Sequence, residues 1–265
     1  MRMADVTAAE PVPNRRERLR AQTLVDLQAA ARRLLVEEGS HAVTLTAVAA
    51  EVGMSAPGLY RYVENRDGLL RLVAAAVAEE LTATLVTARR SAGEDPLAQT
   101  LTLCRTFRAW ALTHRAEFTL LFAEVSVPSG LRAAAAPAPA AEAPAVEAPA
   151  AEAPAVEALA WAFEEVVLRL WSARQFRVPS DDELARDLRD ALGPYRSRLT
   201  GRARAAGIEV PGIPLGATYT LLYYWTRVYG LISMEISGHL GHAVADGGPL
   251  FEAVLAELVA QVDAG

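Results

Sequence analysis

Residues 44–70 read Thr44-Leu45-Thr46-Ala47-Val48-Ala49-Ala50-Glu51-Val52-Gly53-Met54-Ser55-Ala56-Pro57-Gly58-Leu59-Tyr60-Arg61-Tyr62-Val63-Glu64-Asn65-Arg66-Asp67-Gly68-Leu69-Leu70. The Thr44 hydroxyl offers a cap to a short helix ending near Val52. Gly53-Met54-Ser55 then makes a tight turn. A second short helix is expected over Ala56–Tyr62, with Ser55 as its cap and Pro57 tolerated in its first turn. Two short helices about a glycine turn have the geometry of a helix-turn-helix, whose second member enters the major groove of DNA. Leu59 and Val63 are four residues apart and fall on the face that can pack on Leu45, Val48 and Ala49. That leaves Ala56, Pro57, Gly58, Tyr60, Arg61 and Tyr62 to meet DNA.

Working outward, Leu24, Leu27, Ala31, Leu34 and Leu35 mark one face of an amphipathic helix over Arg15–Glu38, closed by Gly39. Residues 1–14 show no apolar period and are expected to form a flexible arm. Asn65 caps a further helix from Arg66 to about Arg90. Residues 15–72 therefore predict a three-helix head followed by the start of a long helix.

On these residues the segment 15–72 resembles the DNA-binding signature of the TetR family of bacterial regulators. The resemblance implies DNA contact by Thr44, Ser55, Tyr60, Tyr62 and Arg66. Val63 stands where the family usually has Phe and Arg66 where it usually has Lys; both keep the physical role. Further along, Trp225-Thr226-Arg227-Val228-Tyr229-Gly230-Leu231 is similar to the Trp-x-x-x-His-Gly element of one subfamily's ligand domain, with Tyr229 in the His place.

Beyond the head, composition favours helix throughout. The chain has 265 residues, 54 of them Ala, and all 26 basic residues are Arg. Aromatic residues make up only 6%, so an all-α fold is expected and a sheet protein is excluded. Asp95-Pro96 opens a helix carrying Leu101, Cys104, Phe107 and Trp110. Leu159, Phe163, Val166, Val167, Leu170 and Trp171 lie on one face of another, from near Glu157. Ser180-Asp181-Asp182-Glu183 has the capping-box pattern and announces a helix towards Gly207. Two last helices are expected, over about Pro214–Leu240 and after Gly248-Pro249. Between these elements, Pro139, Pro144, Pro149 and Pro154 recur every five residues, so about 133–156 reads as a disordered Pro/Ala/Glu insertion within a helical ligand-binding and dimerisation domain over 73–265.

The charge pattern divides the chain in the same place. The net charge is −6, but residues 1–72 hold ten Arg against nine acids and residues 73–265 sixteen against twenty-three. A lone cysteine and the lack of a leader pattern point to a reducing, cytoplasmic setting, and no apolar run suits a membrane span. His239 and His242 lack the further ligands that a metal site needs. No catalytic constellation, phosphate loop or cofactor motif occurs.

The reading that follows is a ligand-responsive regulator, a repressor acting as a homodimer on palindromic operator DNA, rather than a constitutive architectural DNA binder or an α-helical enzyme carrying a DNA-binding head. A mostly apolar small-molecule effector is expected in a cavity bearing Phe107, Trp110, Phe122, Trp171, Tyr223, Trp225 and Tyr229. Thr220 and Thr226 are read as its polar trim and Gly230 as a point of close approach. The wide apolar stripe of the last helix, including Leu255 and Leu258, is expected to pair with a symmetry mate.

Overall fold

A computed structural model describes residues 14–125, 153–210 and 212–264. Among them are ten α-helices and no strand. The chain divides into two compact units between Ala74 and Ala75.

The first unit begins with α1 (Arg15–Glu38). Asn14, assigned to the flexible arm by sequence, is in fact its N-cap: Oδ1 accepts from the Glu17 amide at 3.0 Å, and the Asn14 amide donates to the Glu17 carboxylate at 2.8 Å. The rest of the expected arm lies outside the described residues. A 3₁₀ turn (Ser40–Ala42) leads to α2 (Leu45–Glu51) and α3 (Ala56–Leu59). Leu27, Ala30, Ala31 and Leu35 of α1 close on Val43, Val48, Ala49, Leu59 and Val63, each no more than 7% exposed. Burying this set removes apolar surface from water at roughly 25 cal/mol per Å², the main stabilising term for so small a unit. Arg33 also pairs with Glu51 at 2.6 Å, joining α1 to α2.

The long helix α4 (Arg66–Ser91) starts under the Asn65 cap, whose Oδ1 accepts from the Gly68 amide at 2.8 Å, and runs on into the second unit. There, α5 (Pro96–Thr113) opens on Asp95, which accepts from the Leu97 and Ala98 amides. α6 (Arg115–Thr119) continues into a π-helical turn, Leu120–Val125. From residue 153 onward come α7 (Ala153–Arg174), α8 (Arg186–Ala205), α9 (Leu215–Ile236) and α10 (Gly248–Asp263).

Several boundaries differ from expectation. The Pro/Ala/Glu stretch falls outside the described residues except for its last four, 153–156, which form the first turn of α7. A single Pro in a first turn is compatible with helix because its missing N–H would have no partner there. The pattern Ser180 to Glu183 does form a capping box, with the Ser180 amide donating to Glu183 at 2.7 Å, but it caps a 3₁₀ turn, Asp181–Glu183; α8 starts only at Arg186. α9 stops at Ile236 because Gly238 takes φ +75°, a left-handed value that Gly adopts without the Cβ clash.

Candidate functional site

The turn between α2 and α3 is built by one glycine. Gly53 sits at φ +71°, which lets the Met54 amide reach back to the Ala49 carbonyl at 2.8 Å and closes the end of α2. Thr44 caps α2 as read from sequence, its Oγ1 accepting from the Ala47 amide at 3.1 Å. α3 is shorter than expected. Its α-helical hydrogen bonding gives way after Leu59 to a tighter turn, in which the Tyr62 amide donates to the Leu59 carbonyl at 2.9 Å. With Pro57 supplying no amide and Gly58 costing backbone entropy, four residues of regular helix are what the segment sustains. Ser55 stands at the N-cap, but its side chain makes no cap hydrogen bond, so its exposed hydroxyl stays available to a ligand.

Thr44, Ser55, Pro57, Tyr60 and Arg61 are exposed, and Ala56, Gly58 and Tyr62 half-buried, with Leu59 fully buried beneath them. Tyr60, at 57% exposure, is a large ring held out in solvent. Arg66 is placed differently. Its Nε donates to the Val43 carbonyl at 3.0 Å and its Nη2 to the Ser40 carbonyl, so the guanidinium ties the 3₁₀ turn to the start of α4.

The sequence reading missed the groove beside α3. Arg15, Arg16, Leu19 and Arg20 of α1 face Arg61 and Tyr62 across a depression of about 530 Å³, with the Arg20 guanidinium 5.9 Å from the Tyr62 ring centre. The signal was in the sequence: positions 15, 16, 19 and 20 share one helical face. Arg15, Arg16, Arg20 and Arg61 thus bring four positive charges to the rim of one groove.

The second unit holds a cavity of about 410 Å³, within the range of small-molecule sites. Its apolar wall comes from Leu103 of α5, Phe163, Val166, Val167 and Leu170 of α7, Leu221, Trp225 and Val228 of α9, and Leu255 and Leu258 of α10. Glu164 of α7 and Tyr195 and Arg198 of α8 supply polar groups. Cys104 also lines it, and burial pushes its thiol up to about 12, so it stays protonated and unreactive.

Of the seven ring residues expected here, Trp225 alone lines the cavity. Phe107, Phe122 and Tyr229 stand behind it in an aromatic cluster with Phe118 and Phe163, at ring separations from 4.6 Å for Phe163 and Trp225 to 6.0 Å for Phe107 and Phe118. Trp110 stacks on His114 at 5.0 Å, and Trp171 meets Phe176 edge-on at 5.2 Å. Tyr223 is 42% exposed, with its hydroxyl accepting from Arg227 at 3.3 Å; its neighbour Tyr224 faces the cavity instead. One residue is about 100° around a helix, and sequence spacing could not choose between the two. Thr220 lines the cavity and Thr226 is exposed.

The close approach read at Gly230 occurs elsewhere. A Cβ at Gly230 would meet nothing within 4 Å, whereas one at Gly216 would lie 1.9 Å from the Pro179 carbonyl oxygen. Leu255 and Leu258 are 1% and 7% exposed within their own subunit, so they are core rather than surface. Among the described residues no cluster of three metal-ligating side chains occurs, and no helix is long and apolar enough to cross a membrane.

Comparison with known proteins agrees with this architecture. Residues 27–73 match the family model described as bacterial regulatory proteins, tetR family, and residues 100–258 match that of the tetracyclin repressor-like C-terminal domain. Over 92 residues the chain is 34% identical to the HTH-type transcriptional regulators Mb1846 of Mycobacterium bovis and Rv1816 of Mycobacterium tuberculosis; the match covers 34% of this chain and 39% of theirs. In structure the chain is similar to the protein SCO4313 (TM-score 0.62, 23% identity, 94% of this chain and all of that one). It is also similar to a protein of unknown function from Rhodococcus sp. RHA1 (TM-score 0.53, 18% identity, 96% and 98%). A helix-turn-helix followed by a helical body, with both family matches, is the make-up of a DNA-binding transcriptional regulator. The chain belongs to the TetR family.

Proposed function

We propose that the protein is a ligand-responsive repressor that binds a palindromic operator as a homodimer in the cytoplasm and leaves it when a small, mostly apolar effector fills the cavity of the second unit. The observation that carries this reading is the presence, in one chain, of an exposed recognition surface and a separate apolar cavity joined by a continuous helix, α4. Thr44, Ser55, Ala56, Pro57, Gly58, Tyr60, Arg61 and Tyr62 supply the DNA face. The arginines of α1 extend it along the phosphate backbone.

The route of the signal follows from adjacent carboxylates. Glu164 lines the cavity, while Glu165, the next residue of α7, accepts from Arg89 in the last turns of α4 at 2.8 Å. An occupant that displaces α7 therefore pulls on α4. In a dimer whose recognition helices must sit one duplex turn apart, about 34–36 Å, a small tilt of α4 spoils the match.

The dimer is assigned to the exposed side of α9 and α10. Tyr223, Met234 and Leu250 are large apolar groups between 42% and 43% exposed. The exposed Ala253, Ala256 and Ala260 share one face of α10 by helical period, a low surface on which another helix can lie close.

Selection from random duplexes tests the whole reading: the protein should enrich a palindrome, and Tyr60→Ala with Arg61→Ala should lose that enrichment while keeping its helix content. Enrichment of no sequence, or of one that survives the double substitution, would overturn it.

A further inference from the structure

We infer that the cavity takes an amphipathic organic carboxylate, with its apolar body among the rings and leucines and its charged end on Arg198. The inference rests on the reading of that cavity as the effector site. Its charged wall residues are Glu164 and Arg198, and they are not equivalent. The Glu164 carboxylate is occupied: Oε1 accepts from the Tyr195 hydroxyl at 3.2 Å and Oε2 from Arg202 at 2.9 Å, with the side chain only 8% exposed. Arg198 comes no closer than 3.9 Å to Glu164, makes no hydrogen bond to a described residue, and keeps 61% of its side chain exposed.

The Tyr195 ring holds that guanidinium in place, 4.8 Å from ring centre to the central carbon. Stacking uses the face of the guanidinium and leaves its N–H groups, which lie in the plane, for an acceptor. A carboxylate can take two of them at once. An ammonium would meet a Glu164 already paired with Arg202, and two arginines of its own sign. An alcohol would gain a neutral contact only. Of the neutral hydroxyls on the wall, Thr100 donates to the Pro96 carbonyl at 2.8 Å and Tyr224 to Gln261 at 2.7 Å, while Thr220 carries no charge to rival Arg198 for a carboxylate.

Calorimetric titration of the full chain with decanoate, decanol and decylamine tests this, because the three share an apolar body and differ in the head. Decanoate should bind at least fivefold more tightly than either of the others, less so at high salt. Arg198→Met should weaken decanoate to the level of decanol while leaving decanol itself unchanged, which also shows that the variant is folded. Equal binding of decanoate and decanol, tighter binding of decylamine, or an Arg198→Met protein with undiminished decanoate affinity would each overturn the assignment. Ala160→Trp, placed at the exposed rim of the cavity wall, separates the two layers of the argument. If decanol binds and Ala160→Trp blocks it, the cavity reading stands whichever head is preferred; if none of the three binds, both fail together.

Discussion

Arg66 shows how a residue can match a family's DNA-contact position and be held elsewhere. The resemblance implied a phosphate contact, but in the fold its guanidinium serves the Val43 carbonyl and adds a second bond to the Ser40 carbonyl, which also accepts from the Val43 amide. Arg66→Ala should therefore cost about 1.5–3 kcal/mol of stability, the range for hydrogen bonds to a charged group. The salt dependence of DNA binding should barely change. By contrast, Arg16→Ala or Arg61→Ala should leave the melting temperature unchanged and lower the salt slope by about one each. Paired melting curves and anisotropy titrations distinguish the two behaviours; a slope that falls for Arg66→Ala without loss of stability would restore the phosphate role.

At the scale of elements, the junction of α4 and α7 is where ligand and DNA readings meet. Burial alone would push the Glu165 carboxyl up, but hydrogen bonds from Arg89 and Arg169 outweigh it and hold the group below the usual carboxylate range. A group with a depressed folded pKa contributes stability that is fully present above its unfolded value, about 4.3, and is lost as pH falls through the lower folded value. Melting temperature should thus decline as pH falls below that unfolded value, and Glu165→Gln should be less stable at neutral pH yet flatter on the acid side. Arg89→Met should leave operator affinity within about twofold but blunt release by an effector, since the α7 carboxylate then has no grip on α4. Full effector response in Arg89→Met would place the transmission elsewhere.

For the whole molecule, the two surfaces of the last helix have different destinies. Leu255 and Leu258 point into their own subunit, so Leu255→Asp should unfold the second unit by burying an unpaired charge. Met234→Asp with Ala256→Asp changes only exposed positions and should yield a folded monomer by light scattering. Its operator affinity should drop by at least a hundredfold, because a single head reads one half-site. A folded double variant that remains dimeric would move the interface off α9 and α10.

Local rules carried much of this structure. Thr44, Gly53, Asn65 and Asp95 mark helix ends because a cap or a left-handed glycine is decided by a few neighbouring atoms, and the core face of Leu27, Ala31 and Leu35 is fixed by helical period. Those rules made the head and the all-α class legible from the sequence. What they could not decide is which side of an element meets which neighbour. α9 is apolar nearly all round, so its sequence could not distinguish the inward residue of each pair, Tyr223 from Tyr224 or Thr226 from Thr220. Only packing against α5, α7, α8 and α10 turned Tyr224 and Thr220 towards the cavity and brought Gly216, not Gly230, against a neighbouring backbone. The polar end of the cavity was equally hidden, since Glu164, Tyr195 and Arg198 lie up to thirty-four positions apart and become a site only because α7 and α8 cross. Sequence period specifies that a face exists; the three-dimensional arrangement of the other helices specifies what that face touches.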